Sequence, residues 1–212
     1  MHKKYPGTFI VVDGPDGAGK STLTKALGGK LRESGCEVVE LRDPGSTEIS
    51  EAARELVLSS KFDIGPAAEL FLYLTARAEL VEKEIVPALE RGAVVVCDRF
   101  ELSTLVYQAD GRGLPPEEVA AANSLATGGL SPNITIVLDV SLDMGMERLA
   151  NSGKAADRLE SASVGMRGKV CESFRLVKGD GIFHVDASGT AEEVLDEAWK
   201  TIFRESSIGK NA

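Results

Sequence analysis

Five short apolar runs punctuate the chain: residues 9–13 (FIVVD), 37–41 (EVVEL), 93–98 (AVVVCD), 134–139 (ITIVLD) and 182–186 (IFHVD). They are rich in β-branched residues and mostly continuous in apolarity, the pattern of strands covered on both faces. Between them lie longer stretches with helical periodicity, at 20–34, 48–59, 67–91, 116–126, 143–150, 158–177 and 191–204. Strand and helix in alternation predict an α/β fold: a five-stranded parallel sheet with helices on both faces. No repeat, low-complexity linker or break in composition divides the chain. The expectation is one domain over 1–205, followed by a loose tail at 206–212.

The chain has 212 residues, enough for one domain with a substantial core. Its 24 basic and 33 acidic residues leave a net charge of −9. That balance argues against a nucleic-acid or membrane-coating protein, while leaving room for a small phosphate held in a local positive pocket. Cys36, Cys97 and Cys171 are too scattered for a disulfide framework, and two histidines make a histidine-rich metal site a poor expectation. The N-terminal apolar run is too short for a signal peptide, and no stretch approaches a membrane span, so the cytoplasm is the expected compartment.

Three of the strand runs end in aspartate, at Asp13, Asp98 and Asp139. Ligands of open parallel sheets sit at the carboxyl ends of strands, where an acid can address a metal ion or a hydroxyl. A turn or helix cap uses aspartate in the same place, so position alone does not separate the two.

Directly after the first strand, Gly14-Pro15-Asp16-Gly17-Ala18-Gly19-Lys20-Ser21-Thr22 matches G-x-x-x-x-G-K-[ST] and leads into a helix. Glycines let successive N–H groups converge on phosphate oxygens, and the helix N-terminus adds partial positive charge. Lys20 brings a full charge to the β- and γ-phosphates, and the Ser21 hydroxyl can ligate Mg²⁺. Such a P-loop binds a nucleoside triphosphate without naming the reaction. The N-K-x-D guanine motif of common GTPases is absent from the sequence.

The segment from Asp98 to Gly113, DRFELSTLVYQADGRG, resembles the D-R-[YFH]-x-x-S-x-x-A-Y-Q-G-x-G-R-G stretch of thymidylate kinases. The resemblance covers nearly the whole chain: the P-loop, Arg42-Asp43-Pro44-Gly45 for R-E-P-G, the helix of Tyr73 and Arg77, Asp157-Arg158-Leu159-Glu160 beside a lid, and Val185-Asp186-Ala187-Ser188. It implies transfer of the γ-phosphoryl of ATP to dTMP, with Mg²⁺, in a homodimer joined through helices such as 67–86. It assigns catalysis to Lys20, Arg99, Arg158 and Asp16. The acceptor set it implies is Asp16, Arg42, Tyr73, Arg77, Arg99, Ser103, Thr104, Tyr107 and Gln108, with Asp98 orienting the metal shell through water.

The residue chemistry is compatible with each role. Guanidinium groups at the ends of strands two and three can hold a monophosphate bidentately, though an ordinary ion pair would use the same residues. Tyr73 and Arg77 share a helix face and can stack on and hydrogen-bond a pyrimidine; a core tyrosine beside an unrelated arginine has the same spacing. Tyr107 can exclude a ribose hydroxyl at C2′, or merely anchor its helix. The lid, about 151–157, offers Lys154 next to Arg158, with Gly153, Ala155 and Ala156 giving it freedom to close; a solvated loop would look the same. Some relatives carry an arginine inside the P-loop, where this chain has Gly17. Other departures are Asp13 and Asp43 for glutamate, Tyr73 for phenylalanine, and Ala109-Asp110 for Gly-x. Two alternatives stand: a kinase for another nucleotide or deoxynucleoside, and a non-catalytic nucleotide switch, which would not need the full acceptor set.

Overall fold

The computed structural model describes residues 5–153, 158 and 163–206. Five parallel strands, β1 (Thr8–Asp13), β2 (Val38–Arg42), β3 (Val94–Asp98), β4 (Ile134–Asp139) and β5 (Ile182–Asp186), lie in the order β2-β3-β1-β4-β5. The α/β expectation holds, and β1 sits at the centre with neighbours β3 and β4. Successive β1 side chains point to opposite faces. Ile10 and Val12 enter one core with Leu23, Leu27 and Leu31 of α1 (Lys20–Glu33) and Val194, Ala198 and Ile202 of α9 (Ala191–Glu205). Phe9 and Val11 enter a second core with Leu80, Ile85, Leu89 and Phe100. Both faces being covered is why the strands read as near-continuous apolar runs rather than as alternation.

The remaining helices are α2 (Glu48–Leu58), α3 (Pro66–Leu80), α4 (Val86–Glu90), α5 (Glu101–Thr104), α6 (Pro116–Thr127), α7 (Leu142–Asn151) and α8 (Val164–Leu176). Thr47, Ser141, Ser163 and Thr190 cap α2, α7, α8 and α9 with their hydroxyls. By contrast α1 begins at Gly19, in a left-handed conformation, with no side-chain cap. Its first amides are therefore left to a ligand.

Two expectations change in detail. The single helix over 67–91 is α3 and α4 joined by a π-helical turn, Val81–Ile85. Pro87 has no N–H to donate back to Lys83, and the wider turn just upstream keeps the chain helical across it. The helix expected over 158–177 is α8, which starts after Ser163; Arg158 lies before it, and 159–162 fall outside the described residues. The sequence pattern also marks no element over 101–111, where α5 runs into a π-helical segment, Leu105–Gly111. Ser103, Thr104, Tyr107 and Gln108 interrupt any apolar stripe there, because they face a cavity rather than a core. Of the expected tail, Ser206 is buried, and 207–212 lie outside the described residues.

Candidate active site

A cavity of about 570 Å³ opens at the carboxyl ends of β1, β2 and β3. The P-loop forms its floor. Lys20 is buried and folds back so that Nζ donates to the Pro15 carbonyl at 2.6 Å. Burial, with the Arg99 charge adding to it, lowers the Lys20 pKa to about 8 against the pull of Asp16, Asp98 and Asp13. Gly17, Gly19, Ser21 and Thr22 line the cavity; Gly14, Pro15 and Ala18 shape the loop from behind. Gly17, at a φ of +78°, lies against Gly145 of α7, and a Cβ at Gly17 would overlap the Gly145 backbone. Gly145 has no room either, because its own Cβ would meet the Asp16 carbonyl oxygen.

Arg99 is the hinge of the polar wall. It follows β3 with a φ of +69°, the left-handed region that a bulky side chain enters only when its surroundings hold it there. The holding contacts are specific: its backbone N–H donates to Val12 at 2.9 Å, and its guanidinium reaches Gly14 O at 3.1 Å, Ser103 Oγ at 3.0 Å and the Asp16 carboxylate. The same guanidinium sits 5.3 Å over the Tyr107 ring. Tyr107 in turn donates its hydroxyl to the other Asp16 oxygen at 2.8 Å. Burial works to raise the Asp16 pKa, but Arg99, Lys20 and the tyrosine outweigh it and hold the carboxyl below its ordinary range. Asp13, fully buried behind this wall, accepts from Gly14 N and from both the backbone and the hydroxyl of Ser103. Burial raises its pKa despite the Arg99 charge.

At the mouth, Ser21 Oγ donates to Asp98 Oδ2 at 2.5 Å. A hydroxyl and a carboxylate this close, beside the phosphate floor, fit a Mg²⁺ held mainly by phosphate and water. No group of three metal-ligating His, Cys, Asp or Glu side chains occurs among the described residues.

The opposite wall is helical. Tyr73 and Arg77 of α3 both line the cavity, as do Thr104 and Gln108. Arg77 is 1% exposed and is held on every nitrogen: Nε to Asp43 at 2.5 Å, one terminal nitrogen to Asn123, the other to the Phe100 carbonyl at 3.2 Å. Asp43 Oδ1, also buried, has no hydrogen-bond partner. Arg42 reaches the rim, where it is doubly bonded to Glu51 at 2.8 Å. Ser103 lines the cavity too, but its hydroxyl is committed between Asp13 and Arg99.

Arg158 is not among the cavity-lining residues. Its Nε donates to the Val57 carbonyl at 2.9 Å and a terminal nitrogen bonds Glu69 at 2.5 Å. Lys154 and the rest of 154–157 lie outside the described residues, whereas Leu149 and Ser152 at the end of α7 border the cavity. Residues the sequence reading missed are Arg54 and Leu58, one helical turn apart on α2, and Glu69. Glu69 had a signal: it stands four residues before Tyr73 and eight before Arg77, on the same face of α3.

The comparisons with known proteins agree with one another. A family model described as thymidylate kinase matches residues 12–198. The thymidylate kinase of Pelotomaculum thermopropionicum is 40% identical over 205 residues, covering 90% of this chain and 95% of that protein. One from a Synechococcus strain is 40% identical over 197 residues, covering 92% and 94%. That of Deinococcus radiodurans is 37% identical over 199 residues, covering 92% and 96%.

Proposed function

We infer that this chain, which belongs to the thymidylate kinase family, transfers the γ-phosphoryl of ATP to dTMP, giving ADP and dTDP, in the cavity between the P-loop and α3. The observation that carries the assignment to this cavity is the convergence of Lys20, Arg99, Asp16 and Tyr107 on one side with Tyr73, Arg77 and Gln108 on the other. ATP lays its phosphates on the open amides at the start of α1, with Lys20 turning from the Pro15 carbonyl to the β- and γ-phosphates. The dTMP base lies against Tyr73 with its edge toward Arg77, Thr104 and Gln108, and the sugar rests by Tyr107 and Asp16. Arg99, with Arg42 and Arg54 at the rim, takes the acceptor phosphate.

A dTMP phosphate oxygen then attacks the γ-phosphorus in line, and the bond to the bridging oxygen breaks as ADP leaves. The attacking oxygen is already an anion, so no side chain has to remove a proton. The residues contribute by positioning two polyanions and by stabilising the charge that develops between them. Mg²⁺, held through Ser21 and through water by Asp98, supplies further neutralisation when bound. Arg158 is the lid cation in this scheme and has to leave Glu69 to reach the phosphates.

The chain acts as one domain in the cytoplasm and pairs with a second copy. No helix among the described residues is long and apolar enough to cross a membrane. Phe71 of α3 and Leu125 of α6, 63% and 85% exposed, support a helical pairing face. Initial rates with ATP–Mg²⁺ and a panel of dTMP, dUMP, dCMP, AMP and thymidine test the substrate reading. Turnover of dTMP well above the others is expected, and preference for any other acceptor would overturn it.

A further inference from the structure

Glu69 is fully buried, yet it is not part of the cavity wall. It accepts four hydrogen bonds: from Gln108 Nε2 at 2.8 Å, from Arg112 Nε at 3.2 Å and a terminal nitrogen of Arg112 at 2.9 Å, and from Arg158 at 2.5 Å. Burial alone would push its pKa up, but the bonds from Arg112, Gln108 and Arg158 hold the carboxyl below its ordinary range. Glu69 is therefore ionised, and an ionised carboxylate only accepts.

That restriction passes to Gln108. A glutamine amide has a donor side and an acceptor side, and left to itself it can turn over and present either one. Here the nitrogen end is turned to Glu69 by one of its two N–H bonds, so the carbonyl oxygen at the other end of the amide is the acceptor Gln108 can present to the cavity it lines. Glu69 cannot turn to suit a different amide orientation, because Arg112 by itself bonds both of its oxygens and stays there when Arg158 leaves. Arg77 nearby is a donor only. The two readers thus offer one acceptor and one donor, the complement of a pyrimidine with a hydrogen on N3 and an oxo group on C4.

We propose that Glu69 is a positioning residue for base selection: it locks the Gln108 amide with its oxygen toward the cavity and so favours thymine or uracil over cytosine. This rests on the pyrimidine nucleotide reading of the same cavity. Glu69 acts only through Gln108 and touches no substrate atom.

The test pairs dTMP with 5-methyl-dCMP, which keeps the methyl group and inverts the base edge. Wild-type protein should prefer dTMP by about a hundredfold or more in kcat/KM, the scale of a mismatched hydrogen-bonding edge. Glu69→Gln can offer Gln108 either an oxygen or an N–H, so the preference should shrink about tenfold, chiefly through KM. In a Gln108→Met background, which removes the reader, adding Glu69→Gln should change the preference no further. A folded Glu69→Gln protein that keeps the full preference would overturn the proposal.

A second measurement needs no variant at position 69. In wild-type protein the Gln108 side-chain amide protons, assigned by their loss in Gln108→Met, should exchange slowly both free and with dTMP bound. Fast exchange in the free protein, or a turn of the amide toward the base on dTMP addition, would equally overturn it. Failure of wild-type protein to phosphorylate dTMP at all would instead strike the substrate reading, and the free-state amide measurement would still report on Glu69.

Discussion

The two walls of the cavity handle charge in opposite ways. On the helical wall, Arg77 and Asp43 are buried and paired, Arg77 lies over Phe100, and Arg112 bonds both oxygens of Glu69. On the phosphate wall, Lys20 rests on a carbonyl, Arg99 is 20% exposed beside Asp16, and Ser21 faces Asp98. The first set is buried and paired within the protein. The second holds contacts that a phosphate oxygen can replace one for one. Reading a base suits a rigid edge, whereas transferring phosphate needs groups that can exchange partners, and the proposed function divides the work between the walls on that basis.

Substitutions sharpen this contrast, the largest effect coming from the rigid wall. Arg77→Met would leave Asp43 buried and unpaired, and breaking such a pair costs about 3–5 kcal/mol. An unfolding free energy from denaturant titration lowered by less than about 1 kcal/mol would show that the wall is not held by this pair. On the other wall, Lys20→Ala should change stability little and turnover greatly: kcat falls by a factor of about 10²–10³, equivalent to about 3–4 kcal/mol of charge stabilisation. Near-normal kcat would remove the P-loop lysine from the chemistry.

Arg158 tests the border between the walls, since it is seated on Glu69 but assigned to the moving phosphoryl group. Arg158→Ala should lower kcat by about 2 kcal/mol, or some thirtyfold, while barely raising the KM for dTMP. An unchanged kcat in folded protein would make Arg158 a static partner of Glu69 and turn attention to Lys154 or Arg148.

Smaller effects belong to the sugar and the proton. With Tyr107 buried against the site, the ribose analogue of dTMP should be a poor acceptor, and Tyr107→Ala should narrow the gap by about tenfold while weakening dTMP binding. Equal use of both sugars by wild-type protein would remove that role. Lys20, near 8 in the free protein, gains a phosphate partner when ATP binds, which raises its pKa. Binding at pH 8 should therefore take up about half a proton, and affinity should fall as pH climbs above that value. Calorimetry in buffers of different ionisation enthalpy reads the uptake, and a value of zero would mean that Lys20 is not desolvated in the free protein.

How much of this was legible in the sequence follows from where each signal lies. The inner strands β1, β3 and β4 were legible because both of their faces are buried, the edge strands β2 and β5 from shorter β-branched runs broken by Glu40 and His184, and the P-loop because its spacing is local. Tyr73 and Arg77 were legible as a pair one helical turn apart, but the partners that lock Arg77 come from β2, α6 and the turn after β3, and no local spacing joins them. The helical stretch at 101–111 was legible only as a candidate seat for Tyr107 and not from periodicity, because its polar residues line a cavity and leave no apolar stripe. Arg158 was found from its motif, yet its seat on Glu69 spans 89 positions of chain and no periodicity encodes it.

The paired glycines at 17 and 145 set a limit on how such a chain can change. Here the P-loop and α7 meet backbone to backbone: a Cβ at Gly17 would overlap Gly145, and a Cβ at Gly145 would meet the Asp16 carbonyl oxygen. An arginine arriving at 17 alone would meet α7 before it met a phosphate. Placing a cation at this point of the loop would thus require α7 to shift in the same step. The close fit of α7 on the loop is in this sense a constraint on sequence change, and it acts through backbone rather than through any side chain.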